Sequence, residues 1–481
     1  MSDLWAWPLA ELVAALRDGR LTPAEVVEAF LARAEAADEM LACFIELRSE
    51  QARVAARDCS RLPADGRALH GVPFAHKDVF AGDGVAPSSA AKGVRLRLRA
   101  ARSAVLDRLG AAGAISLGTL NLDPFGYAAT GVNPDYGTTR NPWDPARIAG
   151  GSSSGAAAAV AAGAVPFAIG SDTGGSVRIP ATLCGVTGLK PTLGRIPKGG
   201  LVPLAYSQDT LGIIARSALD VALVLEQVAG YDPLDPSSAE VDAPPFHARI
   251  ERALDAGPAP LAGLRVGVDD VYVAQHASAD IAAGIRDAVA RMEALGATVV
   301  DVALDCLERY DVVATVLTWA EVAAVHGPTF LRDRDRYAPA TRARLELALA
   351  ADGADHVNAL RYQGYALREF LDGPLGSADV LAVPAAPSVA PLLASVDHGS
   401  EVDAVSASVA LLRLNRPFNL IGVPALAVPM GFDALGLPMG FQLVGRPWAE
   451  ETLLTTAAAL QQVTSWHAAR PPEPQPVPAS P

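Results

Sequence analysis

The spacing of apolar residues divides the chain into helical and extended stretches. Apolar positions at three- and four-residue intervals between Pro8 and Gly19 predict a short amphipathic helix. Thr22-Pro23-Ala24-Glu25 offers an N-cap hydroxyl, a proline at the first helical position and an acid in the first turn. It predicts a second helix running toward Ala37. Residues 45–60 read as continuing helical. The short apolar segment after Gly71-Val72-Pro73 reads as a strand whose end carries Lys77 and Asp78. Small residues over about 154–162 predict a helix feeding a buried strand at about 164–170. Farther on, Leu264–Val268 reads as a strand, 279–295 as a helix ending near Gly296, and Ala297–Val302 as a strand. The Pro/Asp/Ser-rich segment Asp232–Pro245 is the strongest candidate for an internal boundary. Arg470–Pro481 holds six prolines in twelve residues and predicts a disordered tail. No internal repeat is visible.

Composition narrows the class. The 481 residues allow two or three domains by length alone. With 51% hydrophobic and 19% charged residues, the chain fits a soluble protein with a large core. A net charge of −14 argues against a nucleic-acid partner, and the basic run Arg95-Leu96-Arg97-Leu98-Arg99 is too short and isolated to reverse that. The cysteines at 43, 59, 184 and 306 have neither metal-ligand spacing nor the density of a disulfide scaffold. The uncharged run between Arg147 and Asp172 is broken by Gly163 and Pro166 and is poor in bulky apolar residues. It therefore does not read as a membrane span, which needs about 20 predominantly apolar residues. The N-terminus has an early acid and no basic region before an apolar core, so no signal peptide is read and the cytoplasm is the expected location.

The chemistry concentrates in residues 147–191. Two triplets, Gly150-Gly151-Ser152 and Gly174-Gly175-Ser176, each put a hydroxyl where the backbone can turn tightly and expose N–H groups. One such triplet alone marks only a turn. A phosphate loop is excluded, because the chain has neither a Gly-Lys dipeptide nor Gly-x-Gly-x-x-Gly. A serine nucleophile needs a base, and none of the eight histidines lies in a recognisable Ser-His-Asp context. Lysine is the other candidate once burial lowers its pKa. Of 39 basic residues only Lys77, Lys92, Lys190 and Lys198 are lysines. Codon bias explains the arginine excess, but not a lysine at the end of an apolar strand. Guanidinium does not deprotonate in proteins, so a base at that place has to be lysine.

Several motifs in fixed order resemble the amidase signature family. They are Gly71-Val72-Pro73 with Lys77-Asp78, Asn141-Pro142-Trp143, Gly150-Gly151-Ser152-Ser153, Asp172 through Pro180, Cys184-Gly185 and Gly188-Leu189-Lys190-Pro191-Thr192. Asn419 through Ala425 and Leu437 through Gln442 look like that family's C-terminal strands. The resemblance is dense over about 65–215, returns at 413–455 and is weak between 235 and 410. It implies an α/β fold: one large domain, residues 1–468, with a mixed central β-sheet flanked by helices. Within it lie N-terminal helices (8–60), a signature core (65–235), a divergent α/β excursion (240–410) and C-terminal core strands (413–465), followed by the tail 469–481.

The resemblance also implies a Ser–cis-Ser–Lys triad. Carried over position by position, Ser176 is the nucleophile, Ser152 the bridging serine on a cis peptide, and Lys77 the base. The backbone of Thr173, Gly174, Gly175 and Ser176 would form the oxyanion hole. Ser153, Asp172 and Arg178 would support these groups, and Gly126 and Tyr127 would line the acyl pocket. Such a site uses no cofactor and no metal. Its partner is a small-molecule amide, with no nucleic acid or membrane involved and with room for a homodimer. Ser154 departs from the family's frequent glycine, and His76 is not its commonest residue before the lysine; it reads as a packed histidine or as a modulator of the charge on Lys77. The main functional reading is a small-molecule amidase. The alternatives are the glutaminase subunit of a tRNA-dependent amidotransferase, a carbamate- or urea-type hydrolase, and a non-catalytic scaffold.

Overall fold

The computed structural model describes residues 4–62, 64, 66–82, 86–94, 96, 102–396 and 401–472. Most of the Pro-rich tail, and Arg95 with 97–99, lie outside these residues. Eleven described strands form one mixed sheet: β1 (Phe44–Leu47), β2 (Pro73–Lys77), β3 (Ile115–Leu120), β4 (Phe167–Asp172), β5 (Thr187–Lys190), β6 (Thr210–Ala215), β7 (Arg265–Val268), β8 (Thr298–Asp301), β9 (Val380–Pro384), β10 (Ala425–Phe432) and β11 (Pro438–Gly445). Their order is β1-β3-β2-β4-β6-β5-β10-β11-β9-β7-β8. β2 runs parallel to both β3 and β4. β4, β6, β5, β10, β11 and β9 then alternate in direction. The divergent excursion adds β7, β8 and β9 to one edge of this sheet, with β7 parallel to its two neighbours. The fold is a single α/β domain in which a large mixed sheet is flanked by helices.

Three boundaries differ from the sequence reading, each for a local reason. The helix opened by the Thr22–Glu25 capping box runs on to Leu41. It stops where Ala42 turns left-handed and the Asp38 carboxylate accepts the Phe44 N–H at 2.7 Å. Residues 45–60 are not one helix: Phe44–Leu47 pairs antiparallel with β3, and only Ser49–Cys59 is helical. An available sheet edge outweighs the weak helix propensity of four residues. The buried strand begins at Phe167, just beyond Pro166, which has no N–H for a ladder, and runs to Asp172. That shift brings Ser171 and Asp172 into the sheet.

The small-residue helix, Ser154–Ala161, is buried over its whole length. Its alanines let it lie close to β4 and so hold its N-terminal serines against the end of the sheet. No described helix is long and apolar enough to cross a membrane.

Candidate active site

Strands β2 and β4 are adjacent and parallel, so their C-terminal ends deliver Lys77 and Ser171-Asp172 to one place. Lys77 Nζ lies 2.7 Å from Ser152 Oγ, 2.9 Å from Ser171 Oγ and 3.5 Å from the Ser171 carbonyl. Ser152 stands just before the buried helix, and the Gly151–Ser152 peptide is cis. Gly151 has no room for a side chain: a Cβ there would sit 1.9 Å from Asp123 Oδ2. The Ser153 N–H donates to the Ser176 carbonyl at 3.0 Å, and Ser153 Oγ donates to the Ser171 carbonyl at 3.2 Å. These bonds tie the two serine segments together. The expected second link is not made: among the described residues no hydrogen bond joins Ser152 Oγ to Ser176 Oγ. In unliganded sites such contacts are often long and tighten only around substrate.

Burial governs the charges. Lys77 is 1% exposed, and desolvation lowers its pKa to about 8 against the pull of Asp123, Asp172 and Asp209. Asp123 and Asp209 are pushed up by burial. Burial also works against the Asp172 carboxylate. There it is overcome by the Arg178 guanidinium and Asn419, which hold the group well below the usual carboxylate range. His76 sits on the opposite face of β2 from its neighbour Lys77, as strand alternation requires. Its Nδ1 lies 3.2 Å from the Lys77 carbonyl, and its ring meets Phe80 edge-on at 5.7 Å.

The turn 173–176 corrects one expectation. The Gly175 N–H does not face a substrate; it donates to Asp172 Oδ1 at 2.8 Å, and the Val177 N–H donates to Oδ2 at 3.1 Å. The Asp172 carboxylate, itself at a strand end, folds the turn around itself. Within the described residues the N–H groups of Gly174 and Ser176 are left without an acceptor. Thr173 donates its hydroxyl to Asp209 Oδ1 at 2.6 Å.

Arg178 joins the two signature-bearing parts of the chain. It grips Asp172 with Nη2 to Oδ1 at 2.9 Å and Nε to Oδ2 at 3.1 Å. Its remaining hydrogens go to Gln442 Oε1, Asn419 Oδ1 and the Asn415 carbonyl, at 2.8, 2.7 and 3.1 Å. Both members of the ion pair are fully buried. Arg178→Met is expected to strand the Asp172 charge and to cost about 3–5 kcal/mol, read as a lower urea midpoint at unchanged slope.

A cavity of about 390 Å³ opens beside Ser176. Thr173, Gly174 and Ser176 form one side, Gly126 and Tyr127 another, as expected for these two. Gly126 adopts φ +74°, and a Cβ there would lie 3.4 Å from Ser152 Oγ and 3.6 Å from Lys77 Nζ. The remaining wall comes from the segment where the motifs are weak, including Asp311, Trp319, Arg344 and Arg416. Ser154, the departure from the family pattern, is buried and donates to Thr139 Oγ1 at 3.2 Å, clear of this cavity.

Sequence reasoning missed Ser171, Asp123, Asp209, Asn415 and the cavity wall from 311 to 416. Ser171 directly precedes the Asp172 motif, and strand alternation from Asp172 could have found it. Nothing local marks Asp311 or Arg416.

Comparison with known proteins agrees with this architecture. The amidase family model matches residues 25–454. The glutamyl-tRNA(Gln) amidotransferase subunit of Chloroflexus aurantiacus is 36% identical over 98% of this chain and 99% of its own length. Among solved structures, 6-aminohexanoate cyclic dimer hydrolase matches with a TM-score of 0.85 at 30% identity, covering 98% of this chain and all of the hydrolase. A chain from a vestigial complex connected with the origins of an s-triazine catabolic enzyme gives 0.85 at 32% identity, with 97% and 100% coverage. The fold and its site define an amidase-family hydrolase acting on C–N bonds. The chain belongs to the amidase family.

Proposed function

We propose that the protein is a small-molecule amidase working through a Ser176 acyl-enzyme, with Ser152 as proton relay and Lys77 as base. The observation that carries this reading is the 2.7 Å contact between a buried, partly neutral Lys77 and Ser152, beside a cavity lined by Ser176. Ser176 Oγ attacks the amide carbonyl carbon, its proton passes to Ser152, and the Ser152 proton passes to Lys77. This requires the two hydroxyls to close to roughly 2.6–3.2 Å when substrate binds. The developing oxyanion meets the N–H groups of Gly174 and Ser176, a preorganised arrangement worth about 3–4 kcal/mol per donor. The C–N bond then breaks as the proton returns through Ser152 to the leaving nitrogen. Water cleaves the ester by the same relay. Intact mass of the protein mixed with an activated anilide tests the reading: a Ser176 acyl adduct is expected, and an adduct elsewhere would defeat it.

The pH profile provides a second test. The base is the neutral amine, so kcat/KM should rise with pH around a midpoint near 8. Below that midpoint it should fall about tenfold per pH unit, without the step near 6.5 of a histidine base.

A second reading is the glutaminase subunit of a tRNA-dependent amidotransferase, favoured by relatives of that name at 36% identity over nearly the whole chain. Glutamine carries an ammonium that needs an anionic partner. Asp311, the acidic side chain on the cavity wall, is already ion-paired with Arg416, and this ranks the reading second. Glutamine hydrolysis by the isolated chain, together with partner proteins in a pull-down of the native protein, would reverse the order.

A further inference from the structure

The cavity wall is largely apolar, yet it carries two guanidinium groups, Arg344 and Arg416, against one carboxylate, Asp311. Arg416 opens the short helix Arg416–Leu420 and is nearly buried. Its Nε donates to Asp311 Oδ1 at 2.8 Å. Among the described residues its two Nη atoms make no hydrogen bond. Asp311 thus aims the fork while leaving its outer nitrogens unused. The stem lies across the turn that precedes Ser176: a Cβ on Gly174 would be 3.1 Å from Arg416 Cγ and 3.5 Å from Cδ. Arg344 Nη2 donates to Ser408 Oγ at 3.2 Å and adds a second positive charge to the same cavity.

A guanidinium held in a low-dielectric wall is costly unless its donors find acceptors. The planar fork matches a carboxylate in two parallel hydrogen bonds. We infer that Arg416 determines specificity by receiving a carboxylate carried by the substrate, so that the preferred substrates are amides bearing one carboxylate near the scissile bond. This rests on the amidase reading above. The ion pair with Asp311 supplies orientation, and the apolar remainder of the wall takes the carbon skeleton between carboxylate and carbonyl.

The carboxylate can belong to the acyl group or to the leaving amine, and two matched pairs distinguish these. Glutaryl-p-nitroanilide is compared with pentanoyl-p-nitroanilide, and N-pentanoyl-4-aminobenzoate with its methyl ester. The wild-type protein is expected to prefer the charged member of one pair by roughly 10- to 100-fold in kcat/KM. Arg416→Gln should collapse that ratio to near unity, and Arg416→Lys should keep part of it, because charge remains while the fork is lost. A ratio near unity in both wild-type pairs overturns the inference whether or not the variants fold, and so does a preference that survives Arg416→Gln. Loss of rate by Arg416→Gln that is equal within each pair would make the residue a packing element and also overturns it. If neutral anilides acylate Ser176 but carboxylates give no advantage, only this inference fails. Absence of turnover and of any acyl adduct with all four compounds removes the amidase reading with it.

Discussion

Ser176→Ala is expected to reduce turnover of any amide substrate by roughly 10⁴- to 10⁶-fold and to abolish the acyl adduct, with the fold intact. The size follows from covalent catalysis: without the hydroxyl there is no ester, and what remains is binding and the Gly174 and Ser176 N–H groups acting on a water attack. The intact fold follows from the geometry. Ser176 Oγ takes no hydrogen bond among the described residues, so its removal leaves no buried partner unsatisfied. The Ser176 carbonyl, which accepts from the Ser153 N–H at 3.0 Å, is untouched. Thermal unfolding should therefore shift little, within about 0.5 kcal/mol. A variant retaining near wild-type rate would transfer the nucleophile elsewhere and end the mechanism.

Lys77 carries the second large effect. Lys77→Arg and Lys77→Met should each lose roughly 10³- to 10⁶-fold in kcat/KM. Arginine keeps the charge but cannot accept a proton, and methionine keeps most of the volume but offers no base. Their stabilities should diverge. Methionine sheds a buried amine, whose desolvation already works against the charged form, whereas arginine forces a larger permanent charge into the same space among Asp123, Asp172 and Asp209. Urea unfolding should accordingly rank methionine above arginine. His76→Ala is the control: its ring packs on the opposite face of β2, so activity should fall only a few-fold, while stability drops by about 1–3 kcal/mol. Substantial activity in Lys77→Arg with none in His76→Ala would reassign the base.

Local interactions made much of this protein legible before its structure. The capping box at Thr22–Glu25 appears as predicted, because an N-cap is decided within four residues. The helix 154–161 and the strand carrying Lys77 follow from side-chain size and apolar runs. Motif order along the chain was enough to bring out the family, and a buried lysine among 35 arginines (39 basic residues less four lysines) stood out by composition alone. What only the tertiary structure decided involves partners far apart in sequence. Phe44–Leu47 became a strand because β3 offered an edge. The Gly175 N–H was claimed by Asp172, because the folded turn brings that carboxylate closer than any substrate. Asn415, Asn419 and Gln442 met Arg178 across more than two hundred residues, since a buried guanidinium must find acceptors wherever the packed elements supply them. The cavity wall was assembled from 311 to 416, where no local pattern gave a sign. Which side chains face a cavity depends on helix packing against the sheet, and a linear pattern records periodicity but not the neighbours on the other side.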